Sequence, residues 1–205
     1  MFDAQASALI KPLLERAALA LARAGVTANQ ITLTGFMLGL SAALLISQHH
    51  YTVGLIALLA SRLCDGLDGA LARQTKITDR GGFLDIVLDM LFYASIPLAF
   101  AWAAPAANAL PAAALLACFV GTASSLLAYA VFAAKRGITA SSSGSTATEK
   151  SMVFLGGLTE ASETLALFVA MCIWPQHFAL LAWVFAGLCC VTIATRILQG
   201  WRALA

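Results

Sequence analysis

Four aspartates are the residues of this sequence whose type and spacing best suit them to chemistry. Asp65 and Asp68 are three residues apart, and Asp85 and Asp89 are four residues apart. On a helix each pair therefore shares one face. Only a short segment separates the two pairs, so the helices that carry them are expected to be antiparallel neighbours with facing carboxylates.

Carboxylates that meet at low dielectric cannot all stay ionised without compensation. The nearby Arg62 and Arg73 supply at most two positive charges. Divalent cations are the economical alternative, and ligands that are all oxygen favour Mg²⁺, Mn²⁺ or Ca²⁺ over zinc. Two such ions would balance four carboxylates.

The composition places these charges in an integral membrane protein. Of 205 residues 61% are apolar and only 11% are charged, against about a quarter in soluble proteins. Five Cys, an odd and sparse number, exclude a disulfide-rich secreted scaffold. A net charge of +2 without a dense basic tract argues against a nucleic-acid partner.

Six apolar stretches are long enough to cross a bilayer, which takes about 20 residues. They predict an all-α polytopic fold in one membrane domain over 1–205, with six spans at about 31–48, 53–73, 82–103, 108–134, 152–174 and 178–200. Residues 1–25 show apolar positions at helical spacing between basic residues, which predicts an amphipathic helix on the membrane surface.

The basic residues give the orientation, because Lys and Arg are retained on the cytoplasmic side. They fall before span one, between spans two and three, between spans four and five, and at the end of the chain, whereas the three opposite loops have none. Both termini are therefore predicted to be cytoplasmic. Asp65 would lie only about 12 Å from the inner end of its span, at about 1.5 Å per residue. The carboxylates would thus form an inner-leaflet pocket open to cytoplasmic solutes.

The residues around these carboxylates resemble the signature of the CDP-alcohol phosphotransferase family. Residues 65–73 read DGLDGALAR, and residues 81–89 read GGFLDIVLD, which fills every fixed position of D-x-x-D-G-x-x-A-R and G-x-x-x-D-x-x-x-D. The spacer has seven residues where many members have eight. Residues 26–32, VTANQIT, are similar to the family's G-[IV]-T-P-N-x-[IV]-T approach, with Ala28 in place of Pro. Six spans and a surface helix also match, over most of the chain, with the family domain at 31–200.

The resemblance implies a role for each matching residue. Asp65, Asp68 and Asp85 are implied metal ligands, and Asp89 is the implied base, which also approaches a metal. The implied contacts to the CDP moiety are Asn29, Thr32, Gly69, Arg73 and Thr78.

The implied reaction is displacement of CMP from CDP-diacylglycerol, or a related CDP-lipid, by the hydroxyl of a small alcohol. Mg²⁺ or Mn²⁺, two ions in number, would assist it, and family members are commonly homodimers. Direct attack is the preferred route, while a covalent aspartyl-phosphate route stays open. The acceptor also stays open: Lys150, Arg136 and Arg196 could take a phosphorylated alcohol, whereas Glu160 and Glu163 could take an amino alcohol or pair with Arg62 or Arg196. Transfer from a choline- or ethanolamine-type CDP donor to diacylglycerol is a further alternative.

Two other interpretations use the same residues. A divalent-cation transporter would need polar residues on towards the outer side, yet residues 53–60 read VGLIALLA. A catalytically inactive scaffold is disfavoured because the signature is intact.

Overall fold

The described parts of the protein are almost entirely helical. The computed structural model describes residues 2–136 and 159–204, and these ranges hold no β-strand. The helices are α1 (Phe2–Arg23), α2 (Ala28–Ser47), α3 (Tyr51–Gln74), α4 (Asp79–Ala103), α5 (Pro105–Lys135), α6 (Ala161–Ile173) and α7 (Phe178–Ala203), with a 3₁₀ turn at Pro175–His177 before α7. The predicted all-α class is confirmed.

Four of these helices are long and apolar enough to cross a membrane: α2, α4, α5, and the stretch Pro175–Ala203 that contains α7. Helix α3 has 24 residues, which is sufficient length, but it carries Arg62, Asp65, Asp68 and Arg73. The chain is therefore a multi-pass membrane protein, while six spans remain a prediction.

The fifth predicted span, 152–174, is not one continuous helix. Thr159 and Glu160 lie outside regular structure, and Glu160 is the extended N-cap residue of α6. The backbone N–H of Glu160 donates to Glu163 Oε2 at 3.1 Å, which closes a capping box. The N-terminal part of the predicted span, 152–158, lies outside the described residues.

The core lies between the apolar faces of α2 to α7. Helix α2 packs on α3 and α4, α4 packs on α5, and α5 packs on α7. Four phenylalanines, from α4, α6 and α7, are fully buried there: Phe92, Phe100, Phe168 and Phe178. Many large apolar side chains are instead exposed on the outside, among them Leu33, Leu98, Trp102, Leu110 and Val131. So large an apolar exterior suits contact with lipid.

Two glycines of α2 let neighbouring helices approach closely: Gly35 faces α3, and Gly39 faces α4. A Cβ on Gly35 would lie 2.9 Å from Cys64 Cβ, and one on Gly39 would overlap the Phe92 ring. The turn between α2 and α3 reverses the chain sharply. His49 adopts a positive φ of 65° there, and the N–H of His50 donates to the Leu45 carbonyl at 2.9 Å, as in a Schellman motif.

Helix α1 packs against the C-terminal end of α3. Ala18 is fully buried beside Ala70 and Leu71, and Gln74 Nε2 donates to the Glu15 carbonyl at 2.9 Å. This contact fixes α1 next to the aspartate-bearing part of α3. The interfacial, amphipathic role of α1 stays a prediction.

Candidate active site

The four aspartates line one cleft between three helices. Asp65 and Asp68 come from α3 and Asp85 and Asp89 from α4, as helical spacing predicts. Their exposure differs: Asp68 is 5% exposed, whereas the Asp65 side chain is 41% exposed. The cleft thus has a wetter side at Asp65 and a buried side at Asp68.

Helix α2 supplies the third wall of the cleft, through Thr32 and Gly35. Its start is fixed by a capping box, in which Thr27 Oγ accepts from the Gln30 N–H and Gln30 Oε1 accepts from the Thr27 N–H. This start places Thr32 in the cleft, where its hydroxyl donates to the Ala28 carbonyl at 3.0 Å. Of the five predicted nucleotide contacts, Thr32 is the one that lines the cleft with the aspartates.

Asn29 and Thr78 meet at a second place, at the N-terminus of α4. Thr78 is the N-cap residue, and its Oγ accepts from the Gly81 N–H at 3.1 Å. A Cβ on Gly81 would lie 3.1 Å from Thr78 Oγ and 3.2 Å from Asn29 Oδ1. Both side chains are exposed. A helix N-terminus flanked by two polar side chains suits a phosphate or a nucleotide.

Gly69 and Arg73 lie one turn apart near the C-terminal end of α3. A Cβ on Gly69 would be 3.4 Å from Arg73 Nη1, so the guanidinium covers the helix at the glycine. Arg73 is exposed and in the last turn of α3. Neither residue lines the aspartate cleft.

Sequence reasoning did not anticipate the position of Arg62. Its Nη1 lies 2.5 Å from Asp89 Oδ1 and 3.4 Å from Asp65 Oδ1. The suggested pairing of Arg62 with Glu160 or Glu163 is therefore wrong, and Glu163 instead caps α6. The one available signal was that Arg62 is the only cation deep within a predicted span.

The donor set of the cleft fits a divalent cation. Four carboxylates offer only oxygen, the ligand that Mg²⁺ and Mn²⁺ prefer. Asp68 Oδ2 is buried and has no hydrogen-bond partner, which is costly unless a cation satisfies it. Over 11–136 and 159–204, no three Asp, Glu, His or Cys side chains are grouped to hold one ion as they stand.

The sequence matches the family model described as CDP-alcohol phosphatidyltransferase over residues 25–194. The chain belongs to the CDP-alcohol phosphatidyltransferase family. Inner membrane protein YnjF of Escherichia coli is 46% identical over 204 residues, covering all of this chain and 97% of that protein. Archaetidylinositol phosphate synthase of Pyrococcus horikoshii is 42% identical over 88 residues, which is 42% of this chain and 47% of that one.

Two solved structures share the fold of this CDP-alcohol phosphatidyltransferase. Both are of the phosphatidylinositol phosphate synthase of Mycobacterium tuberculosis, at 20% identity. One, with CDP-DAG bound, has a TM-score of 0.66 and covers 93% of this chain and 94% of that chain. The other, with manganese and citrate, has a TM-score of 0.65 and covers 92% of this chain and 88% of that chain.

Membership of the CDP-alcohol phosphatidyltransferase family makes this chain a membrane enzyme of phospholipid synthesis. The four aspartates that line the cleft lie within the matched residues. Neither the family match nor the relatives support the transporter interpretation.

Proposed function

We propose that this enzyme transfers the phosphatidyl group of CDP-diacylglycerol to the hydroxyl of a small alcohol and releases CMP. The observation that supports this most directly is the convergence of Asp65, Asp68, Asp85 and Asp89 on one cleft. These residues occupy the four acidic positions of the family signature, and the cleft is walled by the α2 segment that carries Thr32.

The residues that would hold the cations are Asp65, Asp68 and Asp85, and Asp89 would also approach one of them. Asp68 has the strongest claim, because its Oδ2 is buried and otherwise unpartnered. When bound, Mg²⁺ or Mn²⁺ neutralises the charge of the pyrophosphate and of departing CMP. We propose two ions.

Asp89 is the proposed base. It accepts the proton of the acceptor hydroxyl while the hydroxyl oxygen bonds to the phosphorus that carries the diacylglycerol. The bond from that phosphorus to the oxygen of CMP breaks, and CMP leaves with the electron pair. Direct attack needs only this one carboxylate to be free for the proton, which is why it is preferred to a covalent route.

The CDP moiety is proposed to lie along the inner ends of the same helices. Thr32 would meet it in the cleft, and Asn29 and Thr78 would meet it at the N-terminus of α4. Gly69 has no side chain, so the nucleotide can approach the α3 backbone closely there, beside the guanidinium N–H donors of Arg73.

The first acceptor to test is an inositol phosphate. Two archaeal relatives, 41–42% identical over 70–88 residues, are archaetidylinositol phosphate synthases. A phosphorylated acceptor needs a cation, and Arg196 of α7 lies half-buried beside the middle of α5, where its Nη1 donates to the Thr122 carbonyl at 3.2 Å. Lys150, also considered for this role, lies outside the described residues.

The lipid donor is a membrane component, so the enzyme is expected to be located in a membrane. We propose a multi-pass protein of the inner, cytoplasmic membrane, with both termini cytoplasmic, acting as a homodimer. The related inner membrane protein of Escherichia coli supports the location.

CMP release tests the proposal. Purified protein in detergent receives CDP-diacylglycerol, Mg²⁺ or Mn²⁺, and one acceptor at a time: inositol phosphate, glycerol 3-phosphate or serine. We expect metal-dependent release with one acceptor. For Asp89→Asn we expect a loss of about 10²- to 10⁴-fold, the usual contribution of a general base, with CDP-lipid binding retained. A chain that binds no CDP-lipid and no metal would refute the proposal.

A further inference from the structure

Two buried polar atoms without hydrogen-bond partners belong to side chains that line the same cleft. Among the residues that the structure describes, they are Arg62 Nε and Asp68 Oδ2. One atom is a donor and the other is an acceptor. An unpaired polar group is unfavourable in a buried position. The cleft is therefore suited to a ligand that presents a cation to Asp68 and an anion to Arg62.

The guanidinium of Arg62 is held in this cleft by groups on α3 and α4. Its Cζ lies 3.7 Å from the centroid of the buried Phe92 ring, and its Nη2 lies 3.4 Å from Ser61 Oγ. Its Nη1 donates to Asp89 Oδ1 at 2.5 Å and lies 3.4 Å from Asp65 Oδ1. The side chain is only 12% exposed. A guanidinium stacked on a buried ring is thus positioned for a ligand in the cleft rather than for solvent.

The contact with Asp89 places Arg62 beside the reacting atoms. Asp89 is the proposed base, so it lies within hydrogen-bond reach of the acceptor hydroxyl. The oxygen of that hydroxyl bonds to the phosphorus that carries the diacylglycerol, so this phosphate also lies next to Asp89. A guanidinium bonded to Asp89 is then a neighbour of the same phosphate. The other phosphate, which leaves with CMP, lies towards the nucleotide.

We propose that Arg62 binds a non-bridging oxygen of the phosphate that is transferred. When the CDP-lipid occupies the cleft, the guanidinium exchanges its bond to Asp89 for a bond to this oxygen. Asp89 is then free to approach a cation and to accept the proton. Negative charge develops on the phosphate oxygens during attack, and the N–H donors of a guanidinium stabilise it. This inference rests on the proposed function, because it assigns a phosphate contact within the same site.

The affinities for three ligands test the inference, because they differ in the phosphate concerned. CMP carries only the phosphate that leaves, whereas CDP and CDP-diacylglycerol carry both. Each affinity is measured on purified full-length protein in detergent at saturating Mn²⁺. For Arg62→Gln we expect the affinities for CDP and CDP-diacylglycerol to fall at least about tenfold, as for a lost hydrogen bond to a charged group, and the affinity for CMP to stay within about twofold.

Turnover gives a second measurement on the same variants. We expect kcat for CMP release to fall at least about 10²-fold in Arg62→Gln, since the lost contact is strongest in the transition state. Arg62→Lys keeps the charge but not the planar set of donors, so its losses should be smaller. Arg16→Gln is the matched control. Arg16 is an exposed cation of α1, and its removal should leave all three affinities within about twofold.

A purely structural role for Arg62 predicts a different pattern, because misplaced helices would weaken all three ligands together. Equal losses for CMP, CDP and CDP-diacylglycerol in folded Arg62→Gln would overturn the inference, as would no loss for any of them or an unchanged kcat. If Arg62→Gln does not fold, a structure of the wild type with Mn²⁺ and CDP replaces it. A hydrogen bond from Arg62 to the second phosphate of CDP supports the inference, and the lack of one overturns it.

The wild type separates this inference from the proposed function. A wild type that neither binds CDP-diacylglycerol nor releases CMP would refute the proposed function, and the inference with it. A wild type that does both, with no difference between CMP and CDP in Arg62→Gln, would overturn the inference alone.

Discussion

The hydroxyl of Ser61 donates a hydrogen bond to the carbonyl of Gly35 at 2.7 Å, joining α3 to α2 inside the membrane domain. The contact is possible because Gly35 has no side chain: a Cβ there would be 2.9 Å from Cys64 Cβ and 3.3 Å from the Ser61 carbonyl. Arg62 and Asp65 follow directly on α3. The separation of α2 and α3 at this glycine thus sets the width of the cleft.

Gly35→Ala is expected to destabilise the protein, because the new methyl group meets backbone and a Cβ that cannot turn away. Overpacking of this kind costs about 1–3 kcal/mol. Thermal unfolding in detergent should show a lower Tm and, since the cleft is widened, lower CMP release. Gly82→Ala is the control. A Cβ at Gly82 meets nothing within 4 Å, so its Tm should hold or rise; an unchanged Tm for Gly35→Ala would contradict the prediction.

Asp68→Asn is expected to weaken metal binding strongly while leaving the fold intact. The substitution keeps the shape of a side chain that is 5% exposed but deletes its charge, so Mn²⁺ affinity should fall at least about tenfold. Titration of the purified protein with Mn²⁺ measures this. Asp79→Asn neutralises an exposed acid on the first turn of α4 and should leave the affinity within about twofold. Equal losses in the two variants would mean that only the overall charge matters.

Asn29→Ala should raise KM for CDP-diacylglycerol without changing Tm, because Asn29 is exposed and its proposed role is nucleotide contact. Thr78→Val should raise KM and also lower stability by about 1 kcal/mol, the value of a helix N-cap. Thr78→Ser keeps the cap hydroxyl and should restore stability. Steady-state kinetics and thermal unfolding of the three variants separate the two effects. An unaltered KM in both Asn29→Ala and Thr78→Val would remove these residues from the nucleotide site.

Reporter fusions should place both termini on the cytoplasmic side. Alkaline phosphatase, which is active only after export, is expected to be inactive when fused after the last residue and active when inserted in the turn between α2 and α3. Green fluorescent protein at the C-terminus should fluoresce. Phosphatase activity at the C-terminus would reverse the orientation and put the aspartate cleft on the wrong side for a cytoplasmic acceptor.

Much of the architecture could be predicted because apolar runs and helical spacing are local properties. Five of the six predicted spans agree with helices whose ends lie within three residues of the prediction. The proximity of the two aspartate pairs could be predicted from the sequence, because only four residues, 75–78, separate α3 from α4. The break before α6 was missed because Glu160 and Glu163, which form a capping box, fall inside the apolar stretch 152–174 that was predicted as one span.

The partner of Arg62 could not be predicted from spacing. Helical periodicity places Arg62 and Asp65 on one face of α3, but the choice of Asp89 over Asp85 depends on how α4 is rotated about its axis. That rotation is fixed by packing, with Phe92 against both Gly39 and the guanidinium. The rotation of α4 therefore depends on how α2, α3 and α4 pack together.

The ion pair between Arg62 and Asp89 joins consecutive helices, which bears on how the chain enters the bilayer. Helix α3 alone would carry an arginine and two carboxylates into lipid, each at a cost of about 2.5–3.5 kcal/mol near the centre of a membrane. Asp89, the carboxylate closest to Arg62, is on α4 and enters the membrane only after α3. We therefore expect α3 and α4 to enter the lipid together as a hairpin, and a released chain that ends after residue 74 to insert α3 less completely than one that continues through α4.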